Sequence, residues 1–324
     1  MHTKTMSTPT PVYHRKPTKF VPRFKRYAPP LALLAPSIIL IGIFVYYLIF
    51  RAAHMSMTNM ETAEQAAGNA PVEFVGLDNY VTLLRDQDFQ HSLLNLLLYT
   101  VVFIGGTMVL GFFWAWLLDR RSKAEGIFRS LFLFPFAVSS IAAGVVWKWL
   151  LNPIQGADAT GVNRLFQTIG LGGLQNGWTN SPDNAGSPGI GIIAVAIPAI
   201  WQMAGYVMAL FLAGFRGISN EMREAARVDG ATEWQLYRHV LFPQLSPVAL
   251  SALIILGHMS LKVFDLVMAL TGHAVYATQV PAITLYNFFK KSQYGSASAV
   301  GIILLVIIAI VIIPYLIHIA REDK

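Results

Sequence analysis

The amino-acid sequence predicts an all-α polytopic membrane protein with six transmembrane helices, and three observations lead to this fold class. Hydrophobic residues make up 55% of the 324 residues, and charged residues only 13%. The apolar residues are gathered into six runs, each long enough to cross a hydrocarbon core of about 30 Å. Most of the charged side chains lie in the segments between these runs. A soluble globular domain rarely combines these properties.

The composition also excludes several classes of function. The chain has no cysteine, which excludes disulfide frameworks, thiolate catalysis and cysteine-based metal sites. The net charge of +7 is concentrated at the N-terminus, where the first 27 residues hold seven Lys and Arg and no acidic residue. This arrangement favours a cytoplasmic tail beside anionic lipid. It gives no support for a nucleic-acid partner, which would require a basic patch on a folded surface.

In chain order, we expect a basic tail (1–27), a six-span transmembrane domain (28–320) and a short C-terminus (321–324). The apolar run after the tail is interpreted as the first span rather than as part of a cleaved signal peptide, because no small-residue cleavage site follows it. The six spans are predicted, each to within several residues, at 28–50, 93–118, 127–151, 190–215, 247–271 and 298–320.

The positions of Lys and Arg predict the orientation of these spans. Because successive spans alternate in direction, the tail, the 119–129 turn, the 216–246 loop and the C-terminus share one side. That side carries 17 basic residues, and the opposite side carries five. By the positive-inside rule, both termini and the 216–246 loop are predicted to be cytoplasmic.

Two long segments, 52–92 and 152–189, are then predicted to lie outside the membrane. A short helix or interfacial segment is expected at FVGLDNYVTLLRD (74–86), and a short amphipathic segment at residues 162–169. Both segments are longer than most connections between helices. This length favours a role in receiving a soluble external partner, although the alternative of interfacial caps without a partner stays open.

The 216–246 loop contains the longest polar, helix-forming stretch between two apolar runs, EMREAARVDGATEWQLYRHVLFP (221–243). Ser219 is expected to cap a first helix, and Gly230 to take the left-handed conformation that ends it. Thr232 is expected to cap a second short helix, which Pro243 and Pro247 then limit. The pattern predicts a structured helix–turn–helix element rather than a flexible tether.

This stretch resembles the cytoplasmic-loop signature of bacterial ABC importer permeases, which reads EAA, three residues, Gly, nine residues, an aliphatic residue, one more, an apolar residue and Pro. The matching positions are Glu224, Ala225, Ala226, Gly230, Val240, Phe242 and Pro243. Val240 and Phe242 replace the usual Ile and Leu. In that family the loop docks into a groove on a separate ATPase subunit. The resemblance therefore implies that a set of residues in this loop couples the chain to an ATPase, namely Glu221, Glu224, Ala225, Ala226, Asp229, Gly230 and Pro243.

Three further stretches are similar to carbohydrate-uptake ABC permeases: GLDNYVTLL (76–84), PFAVSSIAAGVVWKWLLNP (135–153) and WQMAGYVMALFLAGFRGI (201–218). They resemble the first permease of the maltose and glycerol-3-phosphate systems. Within that group, the resemblance favours a glucose- or mannose-type substrate. The resemblance implies the type I ABC importer permease fold. It also implies a second permease subunit, two ATPase subunits and an external solute-binding protein as partners. ATP and Mg²⁺ would be bound by the ATPase subunits, with no cofactor on this chain.

The fifth predicted span holds a cluster of ionisable residues, His258, Lys262 and Asp265. Their spacing of four and then three predicts one shared helical face, on which Lys262 and Asp265 can form an ion pair. Charged side chains at such depth cost about 2.5–3.5 kcal/mol each on insertion scales, so they should face protein or water. This face is interpreted either as the lining of a translocation cavity or as a structural ion pair between helices.

Three more polar side chains inside the predicted spans are candidates for the same path. Trp201 and Gln202 lie in the fourth span, and Asn95 lies in the second. The alternative, that each only forms hydrogen bonds between helices, stays open for all three.

No catalytic or metal site is predicted from the sequence. The GxxxxGK[ST], HExxH and GxSxG patterns are absent, and the eight histidines show no ligand spacing. A stand-alone channel or secondary carrier, and a membrane-embedded enzyme, are the competing classes. The first would function when purified alone, and the second would need clustered acid–base or metal-binding residues. Co-purification with an ATPase and a second six-span protein would separate the permease from both.

Overall fold

The computed structural model describes residues 33–120, 125–179 and 190–322. Within these ranges the secondary structure is helical, and the β pairing there is limited to an isolated bridge between Thr58 and Phe74. The all-α prediction is confirmed. The predicted tail (1–27), the beginning of the first span and the last two residues of the chain lie outside the described residues.

The chain divides into two compact units, Met1–Arg51 and Ala52–Lys324. Most of helix α1, Leu33–Met55, belongs to the first unit and corresponds to the first predicted span. Its apolar core is not buried within the chain. A helix that is apolar all round requires lipid or another membrane helix around it.

The second unit holds the other helices of the described ranges, among them a four-residue helix at Ala63–Ala66 that is left unnumbered. Their bounds are α2 Asp78–Arg85, α3 Gln87–Asp119, α4 Glu125–Leu133, α5 Ser140–Leu150, α6 Gly161–Thr168, α7 Ile190–Gly217, α8 Asn220–Val228, α9 Glu233–Gln244, α10 Ser246–Leu261, α11 Asp265–Leu270, α12 Pro281–Lys290 and α13 Tyr294–Glu322. A π-helical stretch, Leu236–Leu241, forms the middle of α9. The short segments predicted at 74–86 and 162–169 are found as the helices α2 and α6, whereas α12 was not predicted.

Helices α3 and α7 pack along each other at the centre of the second unit. Small residues on α3 permit this close approach. A Cβ atom at Gly106 would lie 2.5 Å from Cδ1 of Ile200, and one at Gly111 would lie 2.7 Å from Cγ1 of Val207. The side of α7 that faces the bundle is almost fully buried, as is shown by Ile192, Val195, Ala199, Met203, Val207, Phe211 and Phe215. Side-chain packing at such contacts drives helix association in membranes.

The third predicted span (127–151) is not one helix, which corrects the prediction. It consists of α4, a 3₁₀ turn at Phe134–Ala137 and α5, with a bend of 98° between the two arms. Pro135 lies at the start of the 3₁₀ turn, and the Ser139 side chain accepts a hydrogen bond from the backbone N–H of Ala142 at the start of α5. A proline followed by a new N-cap ends one helix and begins another.

The fifth predicted span (247–271) is also discontinuous. Helix α10 ends at Leu261, and α11 begins only at Asp265. Helix α11 packs against α5 so closely that a Cβ atom at Gly144 would lie 2.5 Å from that of Ala269. The second arms of the two broken spans therefore support each other.

Three helices of the described residues, α1, α3 and α7, are each long and apolar enough to cross a membrane. The count rises to five if each bent pair, α4 with α5 and α9 with α10, forms one span. The sixth predicted span falls on α13, whose described apolar stretch, Tyr294–Ile310, is shorter. Within the described residues, each of the six predicted runs falls on helical segments, with breaks in the third and the fifth.

Candidate functional site

Helix α8 of the 216–246 segment has one face against the bundle and one face exposed. Arg223 and Ala226, three residues apart, are half-buried, and Ala226 packs against the main hydrophobic core. The exposed side chains include acidic and apolar ones, namely Glu221, Met222, Glu224, Ala225, Val228 and Asp229. Val228 is the extreme case, with 86% of its surface exposed. The outer face of α8 is therefore available to a partner.

The turn between α8 and α9 follows the sequence prediction. Gly230 has φ of +80°, the left-handed conformation that ends a helix. Thr232 forms a capping box with Gln235, in which its Oγ1 accepts from the backbone N–H of Gln235 and the Gln235 side chain accepts from the backbone N–H of Thr232. These local bonds give the segment a defined shape.

One detail of this segment differs from the prediction. Ser219 occupies the N-cap position of α8, but its side chain forms no capping hydrogen bond with that helix. Helix α9 ends at Gln244, between Pro243 and Pro247 as expected, and a 66° bend at Leu245 separates it from α10. Pro243 is tolerated because it follows a π-helical stretch and starts a short new helical turn, where a missing N–H costs little.

A buried polar network, which was not predicted, attaches this segment to the ends of the central helices. The Arg223 guanidinium donates from Nη1 to Oδ2 of Asp119 at 2.8 Å and from Nη2 to the carbonyl oxygen of Phe215 at 2.6 Å. The Tyr237 hydroxyl donates to the same Asp119 oxygen at 2.7 Å. Burial lowers the pKa of Arg223, but the hydrogen bond and charge of Asp119 outweigh it, so the pKa is raised above its usual value. The guanidinium therefore stays charged.

The segment takes part in two further ion pairs, Arg216 with Glu125 and Arg227 with Glu233, and the second is of a different kind. Arg227 and Glu233 pair at 3.1 Å, but both side chains are about half exposed, at 52% and 53%. In the Arg223–Asp119 pair these values are 14% and 5%. Exposed pairs contribute about 0–1 kcal/mol, whereas removing one partner of a buried pair costs about 3–5 kcal/mol.

A cavity of about 400 Å³ lies where the third and fifth predicted spans are broken. Central helices α3 and α7 form part of its wall, through residues such as Tyr99 and Met203. The non-helical residue Val138 and the first residues of α5 and α11 complete it, together with a set of polar side chains: Ser140, Gln202, His258, Lys262 and Asp265. Four of these five were candidates from the sequence.

The route by which His258, Lys262 and Asp265 meet differs from the prediction. They do not share one helical face, because α10 ends at Leu261 and Asp265 begins a new helix. Lys262 and Asp265, both of which the structure describes, form no ion pair with each other and are exposed to the cavity. The interpretation as a structural ion pair is thus wrong, and both charged groups are available to a ligand.

Two of the other polar side chains at the cavity differ in how they are bonded. The Gln202 side chain donates to the carbonyl oxygen of Val138 at 2.8 Å, which secures the non-helical stretch before α5. Nδ1 of His258 is buried and has no hydrogen-bond partner within the described part of the chain. Gln202 thus has a structural contact at the edge of the cavity, whereas the unpaired Nδ1 of His258 is enclosed by protein.

The last two candidates, Trp201 and Asn95, are not among the residues that line this cavity. Trp201 makes an edge contact with Trp147 at 5.9 Å between ring centroids. The fully buried Asn95 donates to the carbonyl oxygen of Gln279 at 2.9 Å. The Asn95 hydrogen bond joins separate elements, as the alternative interpretation expects, whereas Trp201 joins two helices through a ring contact.

Sequence reasoning missed Asp119, Tyr237 and Ser140. Asp119 and Tyr237 are 118 residues apart, so no local pattern relates them. Ser140 follows the N-cap of α5, and the local signal for it was the combination of Pro135 and Ser139. In the described ranges, no group of three or more His, Asp or Glu side chains could hold a metal ion.

Comparison with known proteins gives consistent matches. Residues 107–322 match the family model described as "Binding-protein-dependent transport system inner membrane component". A probable ABC transporter permease protein of Pyrococcus horikoshii is 38% identical over 289 residues, which cover 88% of this chain and 94% of that protein. The glucose import system permease protein GlcT of Saccharolobus solfataricus is 30% identical over 295 residues, or 90% and 96% of the two chains.

A solved structure shares the fold. A chain of the bacterial alginate ABC transporter, crystallised in complex with an alginate pentasaccharide-bound periplasmic protein, superposes with a TM-score of 0.73. The match covers 93% of this chain and 96% of that chain, at 23% sequence identity. The two chains therefore share their overall helical fold.

Proposed function

This chain belongs to the binding-protein-dependent transport system inner membrane components, and we propose that it forms half of the translocation pathway of an ATP-driven sugar importer. Family membership makes it a permease, which is a transport subunit rather than an enzyme. The proposed complex contains a second permease subunit, two ATPase subunits that bind ATP and Mg²⁺, and an external solute-binding protein. Both termini and the 216–246 segment are proposed to lie in the cytoplasm.

The proposal that this chain couples to an ATPase rests on the exposed outer face of α8. Its inner face is attached through Arg223 and Ala226, whereas Glu224, Ala225 and Val228 point away from the bundle. An exposed patch of apolar and acidic side chains on a short, capped helix is suited to docking against a soluble subunit. A stiff helix passes on a displacement that a flexible loop would absorb. We assign the contact to Glu221, Glu224, Ala225, Asp229, Gly230 and Pro243, and add Val228. Ala226, the remaining residue of the coupling set, supports the contact from the inner face of α8.

A sugar is the solute class that the cavity favours. Its polar side chains combine cationic, anionic, amide and hydroxyl groups, which suit a neutral molecule with many hydroxyl groups. Two of the similar proteins are described as a glucose import permease and an alginate transporter, and both solutes are carbohydrates. A volume of about 400 Å³ lies near the small end of the range for ligand pockets, which supports a monosaccharide such as glucose or mannose.

Co-purification tests the assembly. A tag on this chain should bring down a soluble ATPase and a second multi-span protein from membranes of the native cell. Uptake of sugar into liposomes should then require ATP inside and the binding protein outside. Transport by the isolated chain without an ATPase would contradict the proposal and favour a secondary carrier.

Substitution of Gly230 tests the coupling segment. At φ of +80°, an L side chain costs about 1–2 kcal/mol, so Gly230→Val should distort the turn between α8 and α9. We expect the complex to assemble while sugar uptake per ATP hydrolysed falls about tenfold, because a bound ATPase would then move a displaced helix. Uptake and hydrolysis are measured in the same liposomes.

Gly217→Val is the matched control. Gly217 ends α7 within the same segment, a Cβ there would meet no atom within 4 Å, and its φ is not positive. Its uptake per ATP should equal that of the unmodified complex. If Gly230→Val behaved in the same way as this control, the turn would have no mechanical role.

A further inference from the structure

Three side chains from three different helices meet in the polar network beneath α8. Asp119 is the last residue of α3, Arg223 lies in the middle of α8, and Tyr237 lies in the π-helical part of α9. The carboxylate of Asp119 accepts from both of the other side chains, at 2.8 Å and 2.7 Å. The network therefore links the coupling segment to α3 at one carboxylate.

The same guanidinium also reaches α7. Nη2 of Arg223 donates to the carbonyl oxygen of Phe215, in the last turn of α7, at 2.6 Å. Only the planar fork of arginine can address a carboxylate and a carbonyl group in two fixed directions, whereas lysine presents a single point charge. Arg223 thus holds the ends of both central helices.

Both of these helices lead to the cavity. Helix α3 contributes Tyr99 and Phe103 to its wall, and α7 contributes Ala199, Gln202 and Met203. At about 1.5 Å per residue, Asp119 lies roughly 24 Å along α3 from Phe103. A displacement of α8 that is transmitted through Arg223 would move two walls of the cavity together.

Burial separates this network from ordinary surface pairing. Both charged side chains are almost covered, and the Asp119 carboxylate has its charge balanced by one arginine and a tyrosine hydroxyl. Charged side chains that are buried at a contact between helices are costly unless their geometry is good. A buried polar network whose groups are hydrogen-bonded is rigid, and such rigidity suits a fixed connection between moving parts.

We propose that Asp119, Arg223 and Tyr237 form the joint that passes the movement of α8 to the two central helices. This inference rests on the proposed coupling of α8 to an ATPase. The three are positioning residues, since they contact neither the ATPase face of α8 nor the cavity. Weakening the joint leaves ATPase binding and hydrolysis in place but disconnects them from the walls of the cavity.

The experiment uses the complete complex in liposomes, with ATP hydrolysis and sugar uptake measured together. The variants are Asp119→Asn, Arg223→Lys and Tyr237→Phe. We expect each to retain the ATPase, with uptake per ATP reduced about tenfold in the first two and about threefold in Tyr237→Phe, which loses one hydrogen bond. Asp119→Glu keeps the negative charge, so its uptake per ATP should lie between that of Asp119→Asn and that of the unmodified complex.

The exposed pair on the same segment supplies the control. Arg227→Lys and Glu233→Gln make the corresponding changes to an arginine and a carboxylate at half-exposed positions. Both should leave uptake per ATP unchanged. An unchanged ratio in Asp119→Asn and Tyr237→Phe would overturn the joint, as would a loss of ATPase binding that lowers hydrolysis and uptake equally. If the Asp119→Asn complex fails to assemble, the uptake per ATP of Tyr237→Phe alone decides whether the network acts as a joint. Failure of the unmodified complex to retain an ATPase would instead refute the proposed function.

Discussion

The central helices and the broken spans have different parts in the candidate site. Helices α3 and α7 run for 33 and 28 residues without interruption, although α7 contains Pro198. The third and fifth predicted spans are interrupted at 134–139 and 262–264. The polar network beneath α8 holds the ends of the continuous pair, whereas the cavity opens at the interruptions of the other pair.

The difference follows from backbone hydrogen bonding. A continuous helix satisfies its own N–H and C=O groups, so it is stiff and presents only side chains. An interruption leaves backbone groups without helical partners, which a membrane protein tolerates only where they are buried in protein or line a cavity. Val138 shows this, because its carbonyl oxygen at the first break accepts from Gln202 of α7. Continuous helices are suited to passing on movement, and broken ones to contacting a solute.

The largest effect is expected where a broken span rests on a continuous helix. Gly205 of α7 lies against the backbone of α4, and a Cβ there would overlap the carbonyl oxygen of Phe132. Since a backbone atom cannot move aside alone, Gly205→Ala should destabilise the protein by about 3 kcal/mol or more. Thermal unfolding of the purified complex in lipid nanodiscs measures the change.

Gly105→Ala is the matched control, on the other continuous helix. A Cβ at Gly105 meets no atom within 4 Å, so this substitution should be neutral or stabilise by about 0.5–1 kcal/mol through helix propensity. Equal melting temperatures for the two variants would show that α4 does not rest on α7 as described.

The capped turn of the coupling segment could be predicted from the sequence because its signals are local. Gly230 and Thr232 determine their own surroundings within a few residues, and the structure confirms both. The apolar runs of the six spans are equally local. The break in the third span also had a local signal, a proline followed by a capping serine, although the prediction there was one continuous helix.

The break in the fifth span could not be predicted in this way. Residues 262–264 read Lys-Val-Phe and contain neither glycine nor proline. The interruption depends instead on packing between α11 and α5, in which Gly144 faces Ala269. For the same reason the Asp119–Arg223 pair was missed, since its partners are 104 residues apart. His258, Lys262 and Asp265 were nevertheless identified from the sequence, because charged side chains are costly inside a membrane. This cost does not depend on where a helix is interrupted.

A double substitution at the second break tests whether the interruptions contact the solute. Lys262→Ala with Asp265→Ala should spare assembly, because the two side chains are exposed and form no ion pair with each other. Uptake should fall about tenfold or more, since hydrogen bonds from charged groups to the sugar are lost. Initial rates of labelled sugar uptake in liposomes give the result.

The control removes one cation and one anion elsewhere. Arg164 and Asp158 are exposed, lie outside the cavity and belong to the predicted external segment. Uptake by Arg164→Ala with Asp158→Ala should stay within about twofold of the unmodified complex. Normal uptake by the Lys262 and Asp265 double variant would assign the cavity lining to other residues.

The smallest effect is expected at a single hydrogen bond between a continuous helix and a broken one. The Thr100 hydroxyl on α3 donates to Oγ of Ser260 on α10 at 3.1 Å, and Ser260 itself donates to the carbonyl oxygen of Gly257. Thr100→Val keeps the side-chain shape and removes only the donor. Because hydrogen bonds between membrane helices contribute on average about 0.6 kcal/mol, the melting temperature should fall slightly.

Thr107→Val makes the same change two turns further along α3. Thr107 is fully buried, and its hydroxyl has no hydrogen-bond partner in the described ranges of the chain. Replacing an unsatisfied buried hydroxyl by a methyl group should be neutral or stabilising. The two variants therefore differ only in whether the lost hydroxyl joined α3 to the broken span. A fall in melting temperature for Thr107→Val but not for Thr100→Val would mean that this bond adds nothing to the attachment of α10.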